Sequence, residues 1–225
     1  MIRVSVALPA YNAAQQLPAS LHSLMMQDEE DFEVVVVDDG SQDKTWGVLQ
    51  ELAARDGRIR PVRMSHGGIV PALNQAIRQA RGQYIARMDA DDHSLATRLR
   101  LQADYLDVHP DIGLVACQVG FGGDRESAGG YAHYVDWTNR QCTPEELALA
   151  RFQESPLAHP SVMFRKELCD QFGSYRNGDF PEDYELWLRW MDQGVSMAKL
   201  PEELVIWNDP PDRLSRTDPR YGMER

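Results

Sequence analysis

The chain has 225 residues, 43% of them hydrophobic, and a net charge of −12, with a pI near 4.9 and a mean hydropathy of −0.48. This is a globular composition with ample material for a core. The acidic balance excludes the basic faces that hold nucleic acid or anionic membranes.

The longest apolar run, Val34 to Val37, is far short of the ~20 residues that span a bilayer. Cys117, Cys142 and Cys169 are widely spaced and make no zinc pattern, so they read as reduced thiols. Met1 leads directly into a strand-like run with no signal peptide. A cytoplasmic location is expected, with no intrinsic membrane anchor. Peripheral association with a membrane stays open. The chain stops at Arg225 without a terminating element, as a truncated or an unusually short protein would.

The first part of the chain alternates strand and helix signals, the pattern of a parallel α/β sheet. Val4 to Pro9 reads as a buried strand, and Asn12 as the cap of a helix reaching Met26. Phe32 to Val37 is a continuous, β-branched strand, as expected of one covered on both faces. Ser41 or Asp43 caps a helix from Lys44 to Arg55, and Ile59 to Met64 is a third strand. Gly67-Gly68 opens a helix through Arg81, closed by Gly82. Tyr84 to Met88 is the fourth strand, Leu95 to Val108 a helix closed by Pro110, and Ile112 to Gln118 a strand.

The character then changes. Phe121 to Gly130 is glycine-rich and reads as a mobile loop. Pro144 to Phe152 reads as helix, Ser161 to Phe164 as strand, Pro181 to Gln193 as an apolar helix and Val205 to Trp207 as a last strand. The proline-containing tail from Asn208 reads as loop or lid. With no repeat and no linker, one compact domain over residues 1–225 is expected.

The fourth strand ends in Asp89-Ala90-Asp91-Asp92. Three carboxylates in four residues repel one another unless a cation sits between them. Mg²⁺ and Mn²⁺ favour carboxylate oxygens, and Mg²⁺ commonly shares its shell with a substrate phosphate. Helix capping by Asp92 or Ser94 would account for one such residue, not for Asp89 and Asp91. In open α/β sheets ligands bind beyond the carboxyl ends of strands. Pro9-Ala10-Tyr11-Asn12 and Asp38-Asp39-Gly40-Ser41 end two further strands at that edge.

These segments, with Ala72-Leu73-Asn74, Arg98-Leu99, Gln102, His159-Pro160-Ser161 and Pro181-Glu182-Asp183-Tyr184-Glu185-Leu186-Trp187, stand in an order that resembles family 2 glycosyltransferases over nearly the whole chain. The resemblance implies an A-type glycosyltransferase fold: a Rossmann-like, mostly parallel sheet flanked by helices. It implies inverting hexosyl transfer from a nucleotide-diphosphate sugar, UDP-linked by preference, to a hydroxyl of a glycan or lipid-linked acceptor in surface polysaccharide synthesis. Residues 1–118 would form the nucleotide-sugar half and residues 119–225 the acceptor half.

By the same resemblance Pro9, Tyr11, Asp38, Asp39, Gly67, Asn74, Asp89 and Ala90 would line the nucleotide. Asp91, with Asp89, would hold Mn²⁺ or Mg²⁺. Asp183 would be the base, with Glu182, His159 and Trp187 on the acceptor side. Read from the residues alone, Tyr11 also suits a buried aromatic, Asn74 a helix-face polar group, His159 a structural histidine and Trp187 a core residue. The resemblance also implies a diphosphate-facing arginine near Asn208, a charge that Arg213 or Arg216 would supply, although the two also suit a solvated basic tail.

Two other functions fit parts of this pattern. A nucleotidyltransferase acting on sugar phosphates also pairs aspartates with Mg²⁺, but the loop Ala10 to Gln16 carries no lysine or arginine for a triphosphate. A catalytically silent nucleotide-sugar-binding protein would have no need of Asp89, Asp91 and Asp183 together.

Overall fold

A computed structural model describes residues 2–209. Eight strands form one sheet in the order β3-β2-β1-β4-β7-β6-β8-β5. Strands β1 (Val4–Ala10), β2 (Phe32–Asp38), β3 (Ile59–Arg63) and β4 (Tyr84–Arg87) are mutually parallel. Strand β7 (Met163–Arg165) is antiparallel to both β4 and β6 (Ile112–Phe121). The long β8 (Ser196–Trp207) runs parallel to β6, and the two-residue β5 (His93–Ser94) pairs with it antiparallel. The mostly parallel, helix-flanked sheet matches the architecture expected from the sequence.

Both faces of the sheet are covered, and β2 shows why its run is unbroken. Phe32, Val34 and Val36 enter one core with Leu17, Leu21 and Leu24 of α1 (Leu17–Met25), Leu49 of α2 (Thr45–Arg55) and Leu99 and Leu106 of α4 (Arg98–Val108). Val35 and Val37 enter the other with Leu73 and Ile77 of α3 (Ile69–Gln79) and Leu186, Trp187 and Trp190 of α8 (Glu182–Asp192). Alternate side chains of a strand point to opposite faces, so a twice-covered strand must be apolar throughout.

Helix α1 begins at Leu17, not after Asn12. Asn12 lies in the left-handed region (φ 49°), which asparagine tolerates. Its Oδ1 accepts from Gln42 N at 2.9 Å and its N donates to Ser41 Oγ at 2.9 Å. Asn12 therefore stitches the β1 loop to the β2 loop instead of capping a helix. Asp43 accepts from Thr45 N at 2.9 Å and serves the start of α2, although the formal cap residue is Lys44.

Helix α4 starts at Arg98, not Leu95, because His93 and Ser94 are drawn into β5. The glycine-rich stretch is no simple loop: β6 runs on to Phe121, and α5 (Gly129–Thr138) begins inside it. Ser161 belongs to a 3₁₀ turn, His159–Ser161, ahead of β7. The last strand is twelve residues long, masked in sequence by Pro201-Glu202-Glu203 and by register shifts against β6. Helix α6 (Pro144–Ala150) falls where expected, opened by a capping box between Thr143 and Glu146. Arg213 and Arg216 lie outside the described residues.

Candidate active site

A cleft of about 960 Å³ opens at the carboxyl ends of β1, β2 and β4. The fold creates it there because adjacent parallel strands send their connections to opposite faces, leaving a crevice between them. Pro9, Tyr11, Asp39, Asp89, Ala90, Asp91, His159, Glu182 and Asp183 all line it. Two stretches about 90 residues apart in sequence, residues 89–91 and 182–183, thus face one cavity.

On one side Asp39 is 3% exposed. Its carboxylate accepts from Gly67 N and Gly68 N, each at 2.8 Å, and lies 2.9 Å from His66 Nδ1. Gly68 has φ 91° and aims its N–H at Asp39, a conformation L side chains rarely adopt. The His66 ring stacks on Tyr11 with centroids 4.3 Å apart. Asp38 is displaced from the cleft. It is fully buried, ion-paired with Arg63 Nε at 3.1 Å, and accepts from Ser41 N. Asn74 also points elsewhere, donating to the Tyr175 carbonyl at 2.9 Å and accepting from Ser174 Oγ at 2.6 Å.

Centrally, Asp89, Asp91 and Asp92 place carboxylate oxygens within 4.8 Å of one another. Burial, then the charges of Asp89 and Asp91, push the Asp92 carboxyl well above the ordinary range. Its Oδ2 has no hydrogen-bond partner among the described residues. A buried, unpaired acid oxygen inside an all-oxygen cluster suits a hard divalent cation. The turn is anchored by Ser20 Oγ, which donates to the Asp89 carbonyl at 3.1 Å. Asn208 donates to it twice, from N to Asp92 Oδ1 at 2.9 Å and from Nδ2 to the Asp91 carbonyl at 2.6 Å.

On the far side, the first turn of α8 carries Glu182 and Asp183. Burial, then the adjacent Glu182, push Asp183 up to about 7. Such a value suits a proton acceptor at neutral pH. Asp183 Oδ1 accepts from Tyr184 N at 2.8 Å, which fixes the carboxylate. His159 Nδ1 stands 3.9 Å from Glu182, and its Nε2 lies 2.8 Å from the Tyr175 hydroxyl. Burial, then the charge of Arg87, hold His159 well below its usual range, so the imidazole is neutral. Trp187 is fully buried behind this wall, edge-on to His159 at 6.0 Å. It supports the site and does not line it.

Arg87, Tyr131, Tyr134 and Glu154 also line the cleft and were not singled out in the sequence. For Arg87 the signal was present: a cation inside the buried run Ile85-Ala86-Arg87-Met88. Tyr131 and Tyr134 belong to α5, whose glycine-rich start disguised it.

The family model for glycosyl transferase family 2 matches residues 5–173. The amylovoran biosynthesis glycosyltransferase AmsE of Erwinia amylovora is 29% identical over 89% of this chain and 74% of its own length. The chain spans 65% and 64% of the length of two other curated relatives. Among solved structures, Staphylococcus aureus TarS 1–349 in complex with UDP-GlcNAc superposes with a TM-score of 0.73 at 20% identity, over 94% of this chain and 60% of that one. The mannosyltransferase PcManGT from Pyrobaculum calidifontis, in complex with GDP-Man and Mn²⁺, gives 0.72 at 24% identity, over 93% and 58%. The sheet order, the helices on both faces and these superpositions give an A-type glycosyltransferase fold. With the family match extending from β1 through α7 (Glu167–Phe172), the chain belongs to glycosyl transferase family 2.

Proposed function

We propose that the protein is an inverting glycosyltransferase that moves a hexosyl unit from a nucleotide-diphosphate sugar, UDP-linked by preference, to a hydroxyl of a glycan or lipid-linked acceptor. One observation carries this reading: the carboxylates Asp89 and Asp91, with Asp92 buried beside them, share a cleft with Asp183, an acid whose proton affinity is raised to about 7. The relative AmsE is named for amylovoran biosynthesis, which supports a role in polysaccharide synthesis. TarS and PcManGT were solved with UDP-GlcNAc and with GDP-Man plus Mn²⁺. Both ligand sets support a nucleotide-sugar donor.

In this mechanism the Tyr11–His66–Asp39 side takes the nucleoside. Asp91 and Asp89, beside Asp92, would hold Mn²⁺ or Mg²⁺, which acts as a Lewis acid on the diphosphate leaving group. Asp183 takes the proton of the acceptor hydroxyl. That oxygen bonds to the anomeric carbon as the carbon–phosphate-oxygen bond breaks on the opposite face, and the nucleoside diphosphate departs with the electron pair. The sugar passes through an oxocarbenium-like state. Glu182 keeps Asp183 basic, and the neutral His159 nearby adds no competing positive charge.

Calorimetric titration with UDP, GDP, dTDP and CDP, with and without Mn²⁺, tests the donor class. Tight binding of one nucleotide that is lost without Mn²⁺ and in Asp91→Ala is expected. Binding of none of them would overturn the reading.

A further inference from the structure

Three aromatic rings form one wall of the cleft: Tyr131 and Tyr134 of α5, and Trp207 at the end of β8. Residues three apart share a helix face, so both tyrosines project from one side of α5. Their rings meet the Trp207 ring, Tyr131 at 6.5 Å between centroids and near-perpendicular, Tyr134 at 5.8 Å and tilted. Both tyrosines are half-buried, and their remaining surface faces the cavity.

The wall is held in place at the far end of α5. Buried Lys199 donates from Nζ to Thr138 Oγ1 and to the Pro156 carbonyl, each at 3.0 Å. Asn139 pairs with β6 through both amide atoms: Oδ1 accepts from Val119 N at 3.0 Å, and Nδ2 donates to the Val119 carbonyl at 2.8 Å. A platform fixed before binding loses little entropy when a ligand settles on it.

The rings connect the two halves of the chemistry. Trp207 precedes Asn208, which holds the acidic turn through Asp92 Oδ1 and the Asp91 carbonyl. On the other side Tyr134 donates to the Ser155 carbonyl at 2.8 Å. The same segment is tied to the base: the Arg151 carbonyl accepts from the Tyr184 hydroxyl at 2.5 Å, and Tyr184 N donates to Asp183. The wall therefore reaches from the acidic turn to Asp183.

Charge decides what such a wall can hold. Glu154, Glu182 and Asp183 line the cleft with the rings. Among the described cleft residues the sole lysine or arginine is Arg87, which is already ion-paired with Asp89. A phosphate placed here would face carboxylates without a cation to pair with. A neutral pyranose fits both features. Its weakly positive C–H face packs on the negative face of an aromatic ring, and its hydroxyls donate to carboxylates.

Resting on the transferase reading above, we infer that Tyr131, Tyr134 and Trp207 form the acceptor platform, and that it takes an uncharged sugar ring of a glycan, not the phosphate end of a lipid carrier.

The test is saturation-transfer NMR on the full chain with Mn²⁺ and whichever of UDP or GDP the unmodified protein binds. The probes are the neutral disaccharides cellobiose, lactose and chitobiose, with glucose 1-phosphate as the charged comparison. At least one disaccharide is expected to receive saturation on its ring C–H protons, and glucose 1-phosphate none. Tyr131→Phe keeps the ring and should hold the disaccharide affinity. Tyr131→Leu keeps apolar bulk without the π face and should weaken it about three- to tenfold, with nucleotide affinity unchanged. Intact nucleotide binding also reports a folded cleft. Should Tyr131→Leu melt lower and lose the nucleotide, Tyr131→Met is measured in its place. Undiminished disaccharide binding in the variant without the ring would overturn the inference. Preference for glucose 1-phosphate would overturn it as well, as would binding of no disaccharide by a protein that binds its nucleotide. Failure of the unmodified protein to bind any nucleotide would instead remove the transferase reading beneath it.

Discussion

Asn208 grips Asp92 and the acidic turn from the end of β8: its N donates to Asp92 Oδ1 at 2.9 Å, and its Nδ2 donates to the Asp91 carbonyl at 2.6 Å. The family resemblance led to the expectation of an arginine facing the diphosphate near this position. The structure places instead an amide that orients a carboxylate cluster 116 residues earlier in the chain. Groups that orient metal ligands typically matter about 10–100-fold in affinity. Asn208→Ala is expected to weaken Mn²⁺ binding by that factor and to leave the fold intact. Isothermal titration with Mn²⁺ and nucleotide measures it, and an unchanged affinity would mean that the turn holds its shape without Asn208.

Metal binding is also expected to show in thermal stability. The carboxylates of Asp89, Asp91 and Asp92 lie within 4.8 Å of one another and repel, and a cation that binds only the folded chain adds about 2.7 kcal/mol at a hundredfold excess over its Kd. For a chain of this length that corresponds to a rise in Tm of roughly 5–10 °C. Differential scanning with Mn²⁺ should show the rise, and Asp91→Ala should abolish it. The same rise in Asp91→Ala would move the cation elsewhere.

Asp183 ties activity to stability. Activity as a base requires the carboxylate, so kcat/KM is expected to climb with pH up to about 7 and then level, following the raised value of this group. Asp183→Asn is expected to lower kcat by about 10²–10⁴-fold while nucleotide binding persists. A pH profile without an acid limb near 7 would take the base role away from Asp183.

The same shift has a stability consequence of opposite sense. The native value lies above the ordinary 3.8, so the folded chain binds the proton more tightly than the unfolded one. The resulting stabilisation is complete below about pH 4 and is lost as pH rises through about 7. Asp183→Asn should therefore melt higher than the unmodified protein above pH 7, with the gap closing toward pH 4. A constant gap across that range would show that burial and Glu182 do not perturb Asp183 in solution.

The sequence carried the half of the site that depends on local chemistry. Strand ends that collect carboxylates, such as Asp39 and Asp89-Ala90-Asp91-Asp92, stand out because turns need polarity but not repeated negative charge. Pro181 marked the helix start that carries both Glu182 and Asp183, and the family resemblance singled out Asp183 of the two. What escaped depends on long-range pairing. β8 contains Pro201, Glu202 and Glu203, and becomes a strand through its pairing with β6 and β5. α5 begins with two glycines and is held by Tyr134, which donates to the Ser155 carbonyl at 2.8 Å, and by buried Val135. Asp38 and Asp39 are adjacent and chemically alike, so only strand alternation decides which one faces Arg63 and which the cleft.

Asn74 gives the sharpest separation between a motif residue that touches nucleotide and one that shapes the pocket. Its amide bridges α3 to the Ser174–Tyr175 segment, and Tyr175 in turn meets His159 Nε2 at 2.8 Å. The chain of contacts leads away from Tyr11 and Asp39 and toward the acceptor wall. Asn74→Ala removes a donor from the Tyr175 carbonyl, a loss of about 1–3 kcal/mol when the partner stays buried, or roughly 2–10 °C in Tm for this chain length. Nucleotide affinity should hold within twofold while KM for the acceptor rises, because the Tyr175–His159 wall loosens. A fall in nucleotide affinity with Tm unchanged would return Asn74 to the donor side of the cleft.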